Sequence, residues 1–168
     1  EYVNSFDGGI SLVNKFANLF VTRTFSKIFG LGGLRVGWGY GAKDIIDVLN
    51  SVRSPFNVSS LGLKMAELSV EDVNFVNEQR ELNKVNREVL RNRLLDLGIM
   101  TDQSFANFLL LRFESEKQAN TIDLFLKEKG FILRKVSSYG LPKCLRLSIG
   151  NKEICEKLYL TLAEYFDN

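Results

Sequence analysis

Lys27 and Arg35 lie eight positions apart in a segment, Thr22–Gly41, that is rich in glycine and hydroxyl side chains and carries no acidic residue. Lysine amines form Schiff bases with carbonyl compounds, and hydroxyl groups beside an arginine fork are suited to hold a phosphate. Lys27 is therefore the candidate nucleophile. Thr24, Ser26 and Arg35 are the candidate phosphate ligands.

Two apolar runs flank this segment and must position it. Leu19–Thr22 predicts a buried strand, and Leu34–Tyr40 predicts a second strand whose glycines allow a close backbone approach or a bend. The connection between them is tight, so we expect Lys27 near a strand end, facing a pocket. The open alternative is a solvated surface lysine in a glycine-rich turn.

The sequence lacks the residues that several other common kinds of functional site require. No G-x-G-x-x-G follows a strand, and no Gly-Lys-Ser/Thr forms a phosphate-binding loop. The sequence contains no histidine, which removes serine–histidine catalysis and the commonest transition-metal ligand. We interpret the two cysteines, Cys144 and Cys155, as buried small hydrophobic residues.

Four sequence segments, taken in order, carry a family resemblance. They are Thr24-x-Ser26-Lys27 continuing to Gly-Leu-Gly-Gly-Leu-Arg35-x-Gly37, then Ser54-Pro-Phe-Asn-Val-Ser, Ala106-Asn-Phe, and Gly140-Leu-Pro-Lys-Cys-Leu-Arg146-Leu-Ser-Ile-Gly150. This pattern resembles the fold-type I aminotransferases that depend on pyridoxal 5'-phosphate (PLP), and among them most of all the histidinol-phosphate aminotransferases. The resemblance covers essentially all 168 residues, but only the C-terminal half of such an enzyme.

The resemblance implies roles for the lysine segment. Lys27 would hold PLP as a Schiff base and shuttle the proton during transamination. Thr24, Ser26 and Arg35 would bind the cofactor phosphate. The residues that hold the pyridine ring are expected upstream of Glu1.

Two further arginines are candidate substrate ligands. Arg146 interrupts an otherwise apolar alternating strand, and by resemblance it binds the substrate carboxylate and, in the histidinol-phosphate group, the substrate phosphate. Arg134 holds a comparable place in the preceding strand and is the candidate second phosphate contact. From the pattern alone, an edge-strand arginine that points into solvent remains an alternative.

The predicted fold class is α/β: the end of a large-domain sheet in residues 1–70, followed by a small α/β domain in residues 71–168. Residues 1–7 are expected to extend a strand end. A long amphipathic helix over Val73–Leu97 leads into the small domain and ends at Gly98. A coiled coil is the alternative for this helix, but the apolar stripe lacks sustained heptads.

The pattern predicts seven more elements. They are helices over Lys43–Val52 and from about Ser59, a strand over Asn107–Phe113, a helix that Ser115 caps and Gly130 ends, strands over Phe131–Val136 and Cys144–Ile149, and a last helix capped by Asn151.

Composition narrows the class of protein. Apolar residues make up 45% and charged residues 25% of the chain, and the net charge is +2 with both signs interspersed. This charge distribution lacks the basic patch that is typical of a nucleic-acid-binding protein. No apolar run approaches the length of a membrane span. We expect a cytoplasmic protein, and the resemblance implies a homodimer with small amino-acid and phosphate substrates.

The expected reaction is amino transfer between glutamate and imidazole-acetol phosphate, in histidine biosynthesis. We expect this 168-residue chain to be inactive alone. Alternatives within the enzyme class are a threonine-phosphate decarboxylase and an aromatic or aspartate aminotransferase. A non-catalytic domain that keeps the fold is the alternative from another class.

Overall fold

Twelve helices and strands follow one another in the computed structural model, which describes residues 2–3 and 7–167. In chain order they are α1 (Ile10–Val13), β1 (Phe20–Thr24), β2 (Gly37–Gly41), α2 (Lys43–Val52), α3 (Ser60–Glu71), α4 (Val73–Asp96), β3 (Met100–Thr101), β4 (Phe108–Arg112), α5 (Glu116–Glu128), β5 (Arg134–Lys135), β6 (Cys144–Ser148) and α6 (Lys152–Asp167). The strand end predicted over residues 1–7 lies largely outside the described residues. None of the helices in the described part of the chain is long and apolar enough to cross a membrane.

Backbone contacts divide the chain, beyond its first two residues, into Val3–Gln79 and Arg80–Asn168. The boundary falls inside α4, whereas the sequence pattern predicts it between residues 70 and 71. The assignment of the two parts to the large and small domains of the family stays a prediction.

The first unit is built on a two-stranded antiparallel sheet. Strands β1 and β2 pair from Phe20 opposite Gly41 to Thr24 opposite Gly37. The aromatic ring of Phe20 lies over Gly39 and Gly41, where any side chain on β2 would collide with it. Glycine in this strand therefore serves packing, as the sequence indicated.

The strand predicted over Leu34–Tyr40 begins three residues later in the structure. Gly32–Leu34 form a 3-10 turn, and Arg35 adopts the left-handed conformation with φ 56°. A strand cannot include a residue in that conformation, so β2 begins only at Gly37. The predicted helix over Lys43–Val52 is confirmed residue for residue.

The second unit places helices on one face of a four-stranded antiparallel sheet with the order β3-β4-β6-β5. Its core lies between the sheet and the last turns of α4, α5 and α6. The fully buried members are Leu94, Leu109, Leu111, Ile122, Leu126 and Leu162. The short edge strand β3 was not predicted from the sequence pattern, and six residues were predicted for β5 where only Arg134–Lys135 pair.

A buried carboxylate joins α5 to the edge strand β5. Asp123 is fully buried and accepts from Lys127 Nζ at 2.8 Å, while Lys135 Nζ lies 3.4 Å from the same oxygen. Lys135 also donates to Asn120 Oδ1 at 2.7 Å. The side chain of Lys135 is thus bound to α5.

The predicted helix caps are confirmed. Ser115 Oγ accepts from the Gln118 amide at 3.1 Å, and Asn151 Oδ1 accepts from the Ile154 amide at 2.9 Å. Gly98 ends α4 with φ 76°, where its amide and that of Ile99 bond back to the last turn.

We predict that Ser115→Ala destabilises the second unit by about 1 kcal/mol, because an amide of α5 loses its acceptor. Amide hydrogen exchange of Leu109 and Leu111, both fully buried, should accelerate about fivefold. Ser115→Asp restores an acceptor and is the matched control. Equal acceleration in both variants would contradict the capping role.

Candidate functional site

The loop that carries the candidate lysine is closed by backbone hydrogen bonds beyond the end of the β1–β2 ladder. The Phe25 amide donates to the Val36 carbonyl at 3.1 Å, and the Leu31 amide returns to the Phe25 carbonyl at 3.0 Å. At the last ladder pair, a Cβ on Gly37 would lie 2.7 Å from the Arg23 carbonyl oxygen. Only glycine allows this approach of the two backbones.

Apolar residues anchor the inner side of this loop. Phe25, Ile28 and Val36 are buried, and the Phe25 ring packs against Phe29 at a centroid distance of 4.9 Å. Ala66 of α3 joins the cluster around Phe25 and Val36. The apolar residues of the loop therefore pack inward, and the polar side chains of the loop are left on its other side.

Polar groups of the loop converge on one another. The Ser26 amide donates to Thr24 Oγ1 at 3.0 Å, and Arg35 Nη1 lies 3.4 Å from Ser26 Oγ and donates to the Gly32 carbonyl at 2.6 Å. The left-handed backbone of Arg35 turns its side chain back over the loop. Three of the four candidate cofactor residues are thus brought together.

The donors of this group suit a phosphate. Two hydroxyls and one guanidinium converge, and within the described residues no carboxylate is bonded to Arg35 to neutralise it. Charge-assisted bonds from a guanidinium to phosphate are among the stronger hydrogen bonds in proteins. The residues present therefore fit the phosphate of a cofactor.

Lys27 does not join these hydrogen bonds. Its side chain is exposed, and it forms no hydrogen bond or ion pair within residues 2–3 and 7–167. Its own carbonyl accepts from the Gly30 amide at 2.9 Å, which fixes the turn that follows. The amine is accessible, as attachment of a carbonyl compound requires, and it follows Ser26 directly in the chain.

In the second unit, the two candidate substrate arginines are neighbours. Arg134 on β5 lies directly opposite Arg146 on β6 in the antiparallel register. Arg134 Nη2 donates to the Tyr139 hydroxyl at 2.7 Å. Arg146 Nε is buried without a hydrogen-bond partner in the described chain, and its Cζ lies 5.2 Å from the centre of the Phe108 ring.

This pair is electrostatically incomplete. Like charges directly opposite on neighbouring strands repel, and a buried N–H donor without an acceptor costs free energy. Neither guanidinium is bonded to a carboxylate within the described residues. An anion bound between Arg134 and Arg146 would relieve both costs.

Two features of the site were not predicted from the sequence. Tyr139 had no predicted role, yet its hydroxyl accepts a hydrogen bond from Arg134 Nη2. The Gly32 carbonyl accepts a hydrogen bond from Arg35, and no side chain in the sequence could indicate this contact. The cysteines are free and buried as predicted, and burial raises the pKa of the Cys155 thiol.

Comparison with known proteins agrees with this fold. Residues 2–161 match the family described as aminotransferase class I and II. A histidinol-phosphate aminotransferase of Paracoccus denitrificans is 45% identical over 165 residues, which cover 98% of this chain and 45% of that protein. The chain therefore spans about half the length of the curated relatives it matches.

Solved structures share the architecture. Histidinol-phosphate aminotransferase from Sinorhizobium meliloti, in complex with pyridoxal-5'-phosphate, superposes with a TM-score of 0.82 at 23% identity, over 90% of this chain and 42% of that one. L-threonine-O-3-phosphate decarboxylase from Porphyromonas gingivalis superposes with a TM-score of 0.80 at 20% identity, over 95% of this chain and 50% of that one. At these identities the likeness concerns the fold alone.

The fold is thus the α/β architecture of the fold-type I enzymes, represented by a C-terminal part, and the fold prediction is confirmed. The chain belongs to the aminotransferase class I and II family. The resemblance to histidinol-phosphate aminotransferases inferred from four sequence segments is confirmed by the relative from Paracoccus denitrificans.

We predict that Gly37→Ala lowers the stability of the first unit by about 1–3 kcal/mol, because the added methyl must push β2 away from the Arg23 carbonyl. Fluorescence of Trp38, the single tryptophan, should show the urea midpoint falling by on the order of 1 M. Gly33→Ala is the matched control, since its Cβ would meet nothing within 4 Å. A midpoint unchanged in Gly37→Ala would show that the close approach is not needed.

Proposed function

We propose that this chain is the C-terminal half of a PLP-dependent aminotransferase that moves an amino group between glutamate and imidazole-acetol phosphate, a step of histidine biosynthesis. The observation that carries the proposal is the convergence of Thr24, Ser26 and Arg35 beside Lys27, whose amine has no partner among the described residues. The name of the relative at 45% identity supports the choice of substrate pair.

Each residue of the first unit has a proposed task. Arg35 and Ser26 bind the cofactor phosphate, with Thr24 holding the Ser26 backbone. The Lys27 amine would hold the cofactor through its aldehyde carbon, with loss of water, and when free it would carry the proton to and from the substrate Cα. When bound, PLP supplies an electron sink for the carbanion at that atom.

The arginines of the second unit select the substrate. Arg146 binds the substrate carboxylate through its planar fork, and Arg134 with Arg146 binds the phosphate in the histidinol-phosphate group. The unsatisfied Nε of Arg146 supports an anion at this place. Tyr139 orients Arg134.

We also propose that the complete protein is a cytoplasmic homodimer. Apolar side chains of α2 and α3 are largely exposed in this chain, among them Val48 at 63%, Val52 at 73% and Leu61 at 62%. Many exposed apolar side chains on two consecutive helices favour an interface. An N-terminal half and a second subunit would cover it.

A threonine-phosphate decarboxylase is the competing function, because the Porphyromonas gingivalis enzyme of that name shares the fold. Its identity of 20% to this chain is close to the 23% of the Sinorhizobium meliloti aminotransferase structure, so the structures alone do not separate the two functions. Among the sequences, a relative named histidinol-phosphate aminotransferase is 45% identical. The sequence comparison therefore supports transamination.

We predict that incubation with PLP followed by borohydride labels Lys27, and that inorganic phosphate competes with labelling because Arg35 and Ser26 bind the phosphate group. The measurement is the mass of the proteolytic peptide that contains Lys27. Lys43→Arg, which removes a largely exposed amine, should leave labelling intact, whereas Lys27→Arg should remove it. Labelling spread evenly over surface lysines would refute a cofactor site and favour the non-catalytic alternative.

We predict that the 168-residue chain alone gives no turnover of glutamate with imidazole-acetol phosphate. The reason is that the chain aligns with only 45% of the Paracoccus denitrificans relative, so most of that protein's residues have no counterpart here. The assay is glutamate-dependent loss of imidazole-acetol phosphate, with the full-length relative as the positive control. Turnover by the isolated chain would contradict this prediction without affecting the labelling of Lys27.

A further inference from the structure

A polar cavity of about 310 Å³ lies beside α4 within the unit Arg80–Asn168. It is formed by one side of the helix and the segment that leads into β4. Six of the side chains that line it are polar or charged: Arg87, Glu88, Arg91, Asn92, Gln103 and Ser104. None of these residues has a role in the function proposed above.

Arg87 forms the buried wall of this cavity. Its side chain is buried, with 5% exposure, yet its one hydrogen bond in the described chain runs from Nη1 to the Ala106 carbonyl at 3.1 Å. Asn83 Nδ2 donates to the same carbonyl at 3.2 Å, so both lone pairs of that oxygen are in use. The other guanidinium donors of Arg87 have no acceptor among the described residues.

Arg91 lies one helical turn later, on the same side of α4. Its Nε is buried without a hydrogen-bond partner in the described chain. It forms no ion pair there either, although Glu88 also lines the cavity. Arg87 and Arg91 thus both line the cavity, and each has guanidinium N–H groups without an acceptor among the described residues.

The charge of the cavity wall favours an anion. Arg87 and Arg91 contribute two positive charges and Glu88 one negative charge, which leaves one positive charge without a counterpart. Arg87 is buried without an anionic partner among the described residues, which is costly, and an oxyanion held by two planar forks offsets that cost. The small volume fits a small molecule better than a polypeptide segment.

The loop that closes the cavity is already fixed. Ser104 Oγ donates to the Phe108 carbonyl at 2.7 Å and accepts from the Ala106 amide at 3.1 Å. These two bonds hold the backbone of residues 104–108 in one conformation, and Arg87 holds it from the other side. A preformed site avoids part of the entropic cost of binding.

We propose that this cavity is a binding site for a small oxyanion, either a carboxylate or a phosphate, held between the guanidiniums of Arg87 and Arg91 with the amides of Asn92 and Gln103 as further donors. The site is made of different residues from the Arg134–Arg146 pair. It does not rest on the proposed transamination.

The test is a titration of the isotope-labelled chain with inorganic phosphate and, separately, with succinate, followed by backbone amide chemical shifts. We expect saturable shifts at Arg91, Gln103 and Ser104 with at least one probe, and the stronger probe identifies the ligand chemistry. Arg91→Gln should weaken binding at these amides about tenfold or more, since it removes a charge-assisted bond. Arg91 makes no hydrogen bond through Nε in the described chain, so the variant should fold.

Two control variants distinguish binding in this cavity from a general charge effect and from binding at the other arginine pair. Lys117→Gln removes the same charge from an exposed position on α5 and should leave the affinity unchanged. Arg146→Gln should abolish shifts near Arg134 but spare those at Gln103 and Ser104. The proposal is overturned if neither probe saturates at Arg91, Gln103 and Ser104, if Arg91→Gln binds as tightly as the unchanged chain, or if Lys117→Gln weakens binding equally.

Discussion

The closure of one loop by the backbone is the constraint on which the candidate cofactor site depends. The strands β1 and β2 come so close at Gly37 that a methyl group would strike the Arg23 carbonyl, and the Phe25–Val36 hydrogen bond continues the pairing beyond them. Buried Phe25 and Val36 fix the two ends of the loop in the core. Ser26 follows one of these anchors and Arg35 precedes the other, which explains why residues nine positions apart can share a hydrogen bond.

Arginine without an acidic partner is the recurring electrostatic feature. In the first unit, Arg35 is bonded to a hydroxyl and a carbonyl; in the second unit, Arg134 is bonded to a phenol and Arg146 leaves a donor unused. Arg112 is a contrast, because the neighbouring Asp102 carboxylate raises its pKa by a hydrogen bond. Where a carboxylate partner is absent, each guanidinium remains available to bind an anion from outside the chain.

The sequence was sufficient for features that short-range chemistry decides. The helix over Lys43–Val52 follows from its apolar spacing, and the caps at Ser115 and Asn151 follow from side chains that accept from amides three residues on. Residue types alone also identified Lys27, Thr24, Ser26 and Arg35 as candidates for one site.

The rest depended on geometry that no local pattern encodes. The left-handed backbone of Arg35 is rare for a residue with a side chain, so the late start of β2 could not be predicted. The contact between Arg134 and Tyr139 requires the 3-10 turn that connects them. Strand β5 is short because it pairs only at the edge of the sheet, and propensity over Phe131–Val136 could not reveal that limit.

The buried Asp123 has a consequence for the charge on the opposite face of the sheet. Successive residues of a strand point to alternate faces, so the attachment of Lys135 to α5 through Asp123 and Asn120 leaves Arg134 directed away from the helices. With only two paired residues, β5 has almost no backbone ladder to resist a slip by one position. The buried Asp123 carboxylate thus determines which residues of β5 face the helices. As a result, it also determines the face of the sheet on which Arg134 lies beside Arg146.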